Sequence, residues 1–494
     1  MSLSYVGARY RAGLVYGAAA VGLAAIALLD LTIVTNGTYN VFKPGQYGLV
    51  FNSMALHLLK GSFDIDPNSI GTEGFFHDGR TYAYFGIFPA LLRLPLTPFL
   101  DLTTVHVERL SCWLAMVLGT GGYVAAILAA ITNSSGNANR RMMQAPMLAT
   151  AILSGPPIML GWSAIIYHES VLWAWALAMI FVALAVYGLC RRVGFSTPVL
   201  AAMALVAGLC LLTRPTTAIG LYAALGLIQL HSTLPPRSRT RSWLAHMLQQ
   251  FQEPRFYLPI VIAGMFLALA GFVNYARWGN PLTIADLRQQ TAMLAQYPDR
   301  LPRLEKYGLF NIQRIPFGIN YYFFPVWALA TNGLFALNSR IPELFDAFEL
   351  PPSSFFLSDP LTMYLAIRGC ALVLRGRTPK ASASLAKMLL LGLALPPAMM
   401  LMAWYMAFRY RAEFMPLFVA LSCLEVAYGS PVATKRAYYL LWLLCLLQIV
   451  STQVTRTSYE VSPLGPSEQY VKAGLSKLYF DTMSQAYGWR LPVW

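Results

Sequence analysis

Apolar residues fall along this chain in long, evenly spaced runs, unlike the short alternating stretches of a soluble domain. Runs of about 17 to 25 residues, the length a helix needs to cross a hydrocarbon core, begin at 12–34. They recur near 107–131, 146–165, 170–190, 198–213, 215–231, 257–277, 357–376, 386–406, 413–428 and 437–455. The pattern predicts an all-α polytopic membrane protein with about eleven transmembrane helices. Two polar interruptions, 35–106 and 278–355, are expected as large outer loops. Within the first, Tyr47–Gly61 places apolar residues at helical spacing around His57 and Lys60, which predicts an amphipathic helix on the membrane surface. Ala83–Leu100 continues the theme in pieces broken by prolines. The second interruption is expected as short helices on the outer face, with the apolar piece 321–335 dipping into the membrane. The chain therefore divides into a transmembrane domain, 1–456, and a polar extracytoplasmic tail, 457–494.

Composition agrees with a chain dissolved mostly in lipid: 57% hydrophobic residues, only 12% charged, and a mean hydropathy of +0.53. The net charge of +15 sharpens the topology. Arg9 and Arg11 precede the first run, and the loops expected inside carry Arg140, Arg141, Arg191, Arg192, Arg237, Arg239, Arg241, Arg255, Arg375, Arg377, Lys380, Lys387, Lys435 and Arg436, against one acid, Glu253. Such one-sided basic loops orient the amino terminus to the cytoplasm and the carboxyl end outside. The bases lie scattered over short loops next to spans, which excludes reading the charge as a nucleic-acid footprint. All six cysteines sit in or at the ends of apolar runs, so neither a disulfide framework nor a zinc site is indicated. The first run is too long for a signal-peptide core and is kept as a span. No internal repeat is evident, which argues against transporters built from duplicated halves.

With charge so scarce, polar groups next to spans are the candidates for chemistry. They gather on the outer side. Asp64, Asp66, Asp78 and Arg80 lie in the first outer loop, His168 and Glu169 in IIYHESVLW, and Arg214 in LLTRPTT. Arg277 in NYARWGNP and Arg409, Arg411 and Glu413 in FRYRAEFMP join them. A carboxylate suits general-base removal of a proton from an acceptor hydroxyl, and arginines suit a phosphate leaving group. Transfer of a sugar from a lipid phosphate needs both. Bland roles stand beside these. Asp66 precedes a Pro-Asn turn and Asp78 begins a Gly-containing turn. Glu169 is placed to pair with a base or favour a helix start, Arg409 and Arg411 to anchor at the interface, and the tyrosines to form an aromatic belt. His57 and His77 have no partners at metal-ligand spacing. Arg368 and Glu425, isolated within apolar runs, are candidates to pair with each other.

The ordered set of these segments, from DGRTYAYFGIFPALLRLP through IIYHESVLW, GLCLLTRPT and FVNYARWGNPL to FRYRAEFMP, resembles the GT-C class of integral-membrane glycosyltransferases, in particular bacterial members. The resemblance implies a polyprenyl-phosphate sugar donor, a glycan, lipid or protein acceptor, an inverting transfer at the outer face of the bacterial inner membrane, and a catalytic acid in the first outer loop. Some members of the class need a divalent cation. Many place an acid directly after the first span, whereas this chain reads TNGTYNVFKPGQYG there. The base is therefore assigned to Asp78, ahead of Asp66, with Glu169 as a further catalytic candidate. Arg214, Arg277 and one of Arg409 and Arg411 are expected on the donor phosphate. Arg80, Tyr82, Tyr84 and His168 complete the expected substrate-binding set. The competing classes are a lipid or solute transporter and an inactive envelope-assembly scaffold.

Overall fold

The computed structural model describes residues 21–132, 143–190, 194–233, 253–324, 341–348, 353–429 and 434–461. The start of the first expected span, most of the dipping piece, the polar tail from 462 and the loop bases Arg140, Arg141, Arg191, Arg192, Arg237, Arg239 and Arg241 lie outside them.

The described chain is overwhelmingly helical. Helix α1 (Val21–Val34) leads into residues 35–106, called the first outer loop after the topology expected from the sequence, which contain α2 (Val50–Leu59) and a hairpin of β1 (Phe75–His77) and β2 (Arg80–Tyr82). Then follow α3 (Glu108–Thr132), α4 (Gln144–Leu153), α5 (Pro156–Gly161), α6 (Ile166–Cys190), α7 (Thr197–Leu211), α8 (Pro215–Thr233) and α9 (Pro254–Trp278). The second outer segment carries α10 (Thr291–Gln296), α11 (Arg300–Tyr307), α12 (Ile315–Phe323) and β3 (Ala347–Phe348). The bundle closes with α13 (Pro360–Leu374), α14 (Lys380–Leu393), α15 (Leu395–Leu401), β4 (Tyr405–Met406), α16 (Met415–Tyr428) and α17 (Lys435–Val461).

Among the described residues five helices are long and apolar enough to cross a membrane: α3, α6, α9, Ser382–Leu401 and Lys435–Thr457. Others among the expected spans are shorter apolar helices, such as α1, α7 and α13. Helix α6 is the centre: 78% of its most apolar window is buried, against 17% for α9, so α6 packs on protein around its circumference while α9 shows most of its surface to lipid. Small residues permit that density. A Cβ at Gly119 of α3 would fall 2.1 Å from the Trp175 ring of α6, and one at Gly122 would fall 2.9 Å from the Ile180 backbone nitrogen. Arg368 and Glu425 do pair, at 2.7 Å, across α13 and α16.

The first outer loop is docked onto the bundle. Val50, Phe51, Met54 and Ala55 bury the apolar face of α2, and its Asn52 donates to the carbonyls of Leu102 and Val105. The expectation of a helix lying on lipid is thus corrected: the apolar stripe faces protein. Prolines break the following segment, as expected, into short turns at Phe88–Leu91 and Leu94–Leu96. The Tyr84–Phe88 stretch sits on the α7–α8 turn: Phe88 N donates to Leu212 O at 2.9 Å, and a Cβ at Gly86 would collide with that same carbonyl. Residues of the first loop are thereby brought beside Arg214.

Candidate active site

Several of the charged groups at this end of the bundle are buried and hydrogen-bonded. Arg93 donates to both carboxylate oxygens of Glu169, at 2.8 and 3.1 Å, and also to Asn52 Oδ1 and Pro89 O, with both partners of the ion pair almost wholly buried. A buried charge needs such saturation, because desolvation is otherwise uncompensated. Arg411 is held likewise by Asp359 at 2.6 Å, by Ser353 O and by the Ser358 hydroxyl, over the Phe355 ring. Arg277, 3% exposed, donates to Phe85 O and to Met54 Sδ. His168 is buried with its Nδ1 at 2.8 Å from Ser163 O and 3.1 Å from Leu160 O. Glu169, Arg411, Arg277 and His168 are thus buried in contacts that tie loops to helices.

The first-loop aspartates face water or cap turns. Asp66 caps the helical turn Pro67–Ile70, accepting from Asn68 N at 2.9 Å, and is exposed. Asp78 and Gly79 form the two-residue tip of the β1–β2 hairpin with φ of 48° and 75°, the left-handed pair that an Asp-Gly hairpin turn requires. The Asp78 side chain is 86% exposed, with His77 Nε2 at 3.5 Å. Arg80 is exposed and donates to the Ser62 hydroxyl at 3.3 Å, while Tyr82 packs into an aromatic cluster with Phe75 and Trp278. Burial pushes the Tyr82 hydroxyl above its usual range.

A different group of residues does converge. The 3-10 helix Phe408–Glu413, between β4 and α16, turns Arg411 and Glu413 inward and leaves Arg409 and Tyr410 half-buried. The Arg409 guanidinium stands over three rings, 5.0 Å from Tyr167, 5.0 Å from Tyr405 and 5.3 Å from Tyr410, an arrangement in which the ring faces stabilise the cation. Arg214 also lies over the Tyr410 ring, at 5.0 Å. Its Nε donates to Glu413, which Thr216 and Thr217 also hold at 2.8 and 2.9 Å. Among the described residues its two terminal nitrogens have no hydrogen bond.

Into this cluster the first outer loop delivers Glu73, the last residue of the 3-10 turn Gly71–Glu73. Its carboxylate accepts from Gln290 Nε2 at 3.3 Å, and it forms no ion pair among the described residues. Tyr84 completes the wall, stacked on Phe85 at 4.3 Å. Burial pushes its hydroxyl well above the usual range, with Tyr410, Arg409, Glu73 and Arg214 all close enough to act on it. So the structure unites Tyr84, Arg214 and Arg409 from the expected set and adds Glu73, Tyr167, Tyr405 and Tyr410. The missed residues stood inside or beside the quoted motifs: Tyr167 precedes His168, Tyr410 separates the two arginines, and Glu73 lies five residues before Asp78.

Among the described residues no group of three or more His, Cys, Asp and Glu is placed to hold a metal ion. The cluster offers one carboxylate beside an arginine and tyrosines, a donor set that does not fit a hard divalent cation.

No family model matches this sequence, and no curated protein matches it. Among solved structures the chain is similar to the oligosaccharyltransferase of Archaeoglobus fulgidus in its apo form, with a TM-score of 0.50 at 11% identity, covering 95% of this chain and 60% of that one. It is also similar to the Archaeoglobus fulgidus oligosaccharyltransferase AglB in complex with an inhibitory peptide and a dolichol-phosphate, with a TM-score of 0.49 at 13% identity over 95% and 59% of the two chains. The chain thus spans about 60% of the length of the structures it matches. At this identity the likeness concerns the fold alone, which this chain shares with the Archaeoglobus fulgidus oligosaccharyltransferase.

Proposed function

We propose that this protein transfers a sugar from a polyprenyl-phosphate-linked donor to an acceptor hydroxyl or amide of the cell envelope, at the outer face of a membrane that the chain crosses about eleven times. The observation that carries the proposal is that Glu73, which has no cationic partner among the described residues, lies close enough to act on Tyr84 and Tyr167, the tyrosines that Arg409 also reaches, with Arg214 over the neighbouring Tyr410 ring. Glu73 takes the acceptor proton as the acceptor atom bonds to the anomeric carbon. The bond from that carbon to the phosphate oxygen breaks, and its electron pair leaves with the lipid phosphate. Arg214 and Arg409 stabilise that phosphate with charge-assisted hydrogen bonds. A single displacement of this kind inverts the anomeric carbon. The tyrosines of the cluster exclude water from the base and keep both guanidinium planes oriented.

The rival reading, a translocase, calls for ionisable groups along a path through the membrane. Arg368 and Glu425 instead neutralise each other. The deciding experiment gives the purified full-length chain undecaprenyl-phosphate-linked sugars and measures release of undecaprenyl phosphate. Turnover is expected. The absence of both turnover and undecaprenyl phosphate binding, or lipid translocation in proteoliposomes without transfer, overturns the proposal.

A further inference from the structure

The second outer segment reaches the cluster on two sides. Gln290, 4% exposed, heads α10, which packs on the Gly71–Glu73 turn. Its Nε2 donates to Glu73 at 3.3 Å, and its Oε1 accepts from Arg300 at 3.4 Å. Arg300 in turn grips both oxygens of Asp346, at 2.9 and 2.7 Å, and stands over the Trp404 ring at 5.6 Å. Asp346 N donates to Trp404 O, and the pairing of β3 with β4 joins Ala347 to Tyr405, one of the rings beneath Arg409. A continuous set of polar contacts therefore runs from Glu73 through Gln290, Arg300 and Asp346 to the floor of the Arg409 cage.

Charge fixes which way the Gln290 amide points. Its oxygen must face the Arg300 guanidinium and its NH₂ the Glu73 carboxylate, since the reversed amide would oppose like partial charges at both ends. Both bonds are long, so their effect is directional: an anchored dipole aimed at one carboxylate. We infer that Gln290 is a positioning residue, which holds the Glu73 carboxylate in register with Arg409 by bracketing it against Arg300. This inference rests on the reading of Glu73 as the base.

The test uses the full-length chain in nanodiscs, with undecaprenyl-phosphate-linked glucose as donor probe and infrared difference spectroscopy as a readout that needs no donor. The Glu73 carboxylate stretch is identified as the band lost in Glu73→Gln. Gln290→Leu keeps the side-chain size without the donor. It is expected to move that band and to lower kcat by roughly 10²-fold, the scale of a small misplacement, with donor KM nearly unchanged. Gln290→Glu, which sets a second carboxylate against Glu73, is expected to shift the band further. An unmoved band in both Gln290 variants, or kcat and KM altered in proportion, overturns the inference. Full activity in Glu73→Gln instead overturns the base assignment, whereas an inactive Glu73→Gln beside fully active Gln290 variants removes only the role of Gln290.

Discussion

The ring of Tyr167, in the first turn of α6, lies 5.0 Å from the Arg409 guanidinium. The same tyrosine is close enough to Glu73 of the first outer loop for that carboxylate to act on its hydroxyl. One side chain on the most buried helix of the bundle thereby lies near both a carboxylate and a cation carried by two different loops. Rigid helices locate a site more closely than loops do, and here the helix supplies the common reference.

Glu73→Gln is expected to lower transfer by about 10²- to 10⁴-fold, the usual contribution of a general base, with donor binding retained. Asp78→Asn is expected to stay near the parent rate, because its side chain is 86% exposed at the hairpin tip. Steady-state kinetics on the two variants decide between them. An inactive Asp78→Asn with an active Glu73→Gln would return the base to the hairpin.

The two arginines of FRYRAEF are expected to separate cleanly. Arg409→Ala should weaken undecaprenyl phosphate binding while leaving the fold intact, since Arg409 is half-buried over tyrosine rings. Arg411→Ala should instead destabilise the protein by about 3–5 kcal/mol, because it strands a buried Asp359. Ligand binding and thermal unfolding of each variant read these outcomes directly.

The bundle was legible from the sequence because apolar runs in lipid report span length directly, as did the pairing of Arg368 with Glu425. The gathering of charged groups from separate motifs was legible too, since Arg214 and Arg409 both lie over Tyr410. Which acid lies near them was not. Asp66, Asp78 and Glu73 share one loop, and only tertiary contacts give the first to a cap, the second to a hairpin tip and the third to Gln290. For Glu169 and Arg411, scarcity of charge in an apolar chain marked them as candidates. It could not distinguish a reactive group from one whose charge is cancelled by a distant partner, Arg93 or Asp359.

Low pH should loosen the first outer loop. Burial alone would raise the Asp64 pKa, but hydrogen bonds from Ser62 and His57 and the charge on His57 outweigh it, and the pKa is lowered. A lowered carboxylate pKa contributes stability that is present above the unfolded value of about 3.9 and is lost as pH falls through the folded value. The difference in unfolding temperature between the parent and Asp64→Asn should therefore vanish as pH falls through the carboxylate range, below about pH 4. A difference that persists undiminished at the lowest pH would mean that the Asp64 contacts do not depend on its charge.

The pair of Arg93 and Glu169 offers a test of whether Glu169 acts in chemistry or in architecture. Glu169→Leu alone leaves the Arg93 guanidinium buried with only Asn52 and the Pro89 carbonyl to accept from it. Removing one member of a buried pair costs about 3–5 kcal/mol, so this variant should unfold at clearly lower temperature. The double variant Arg93→Met with Glu169→Leu removes both charges and keeps the volume, and should recover most of that loss. A folded double variant should also retain transfer, because Glu169 is 1% exposed and bound through both oxygens. Recovery of stability without activity would assign Glu169 a role in the reaction that its buried pairing with Arg93 does not provide.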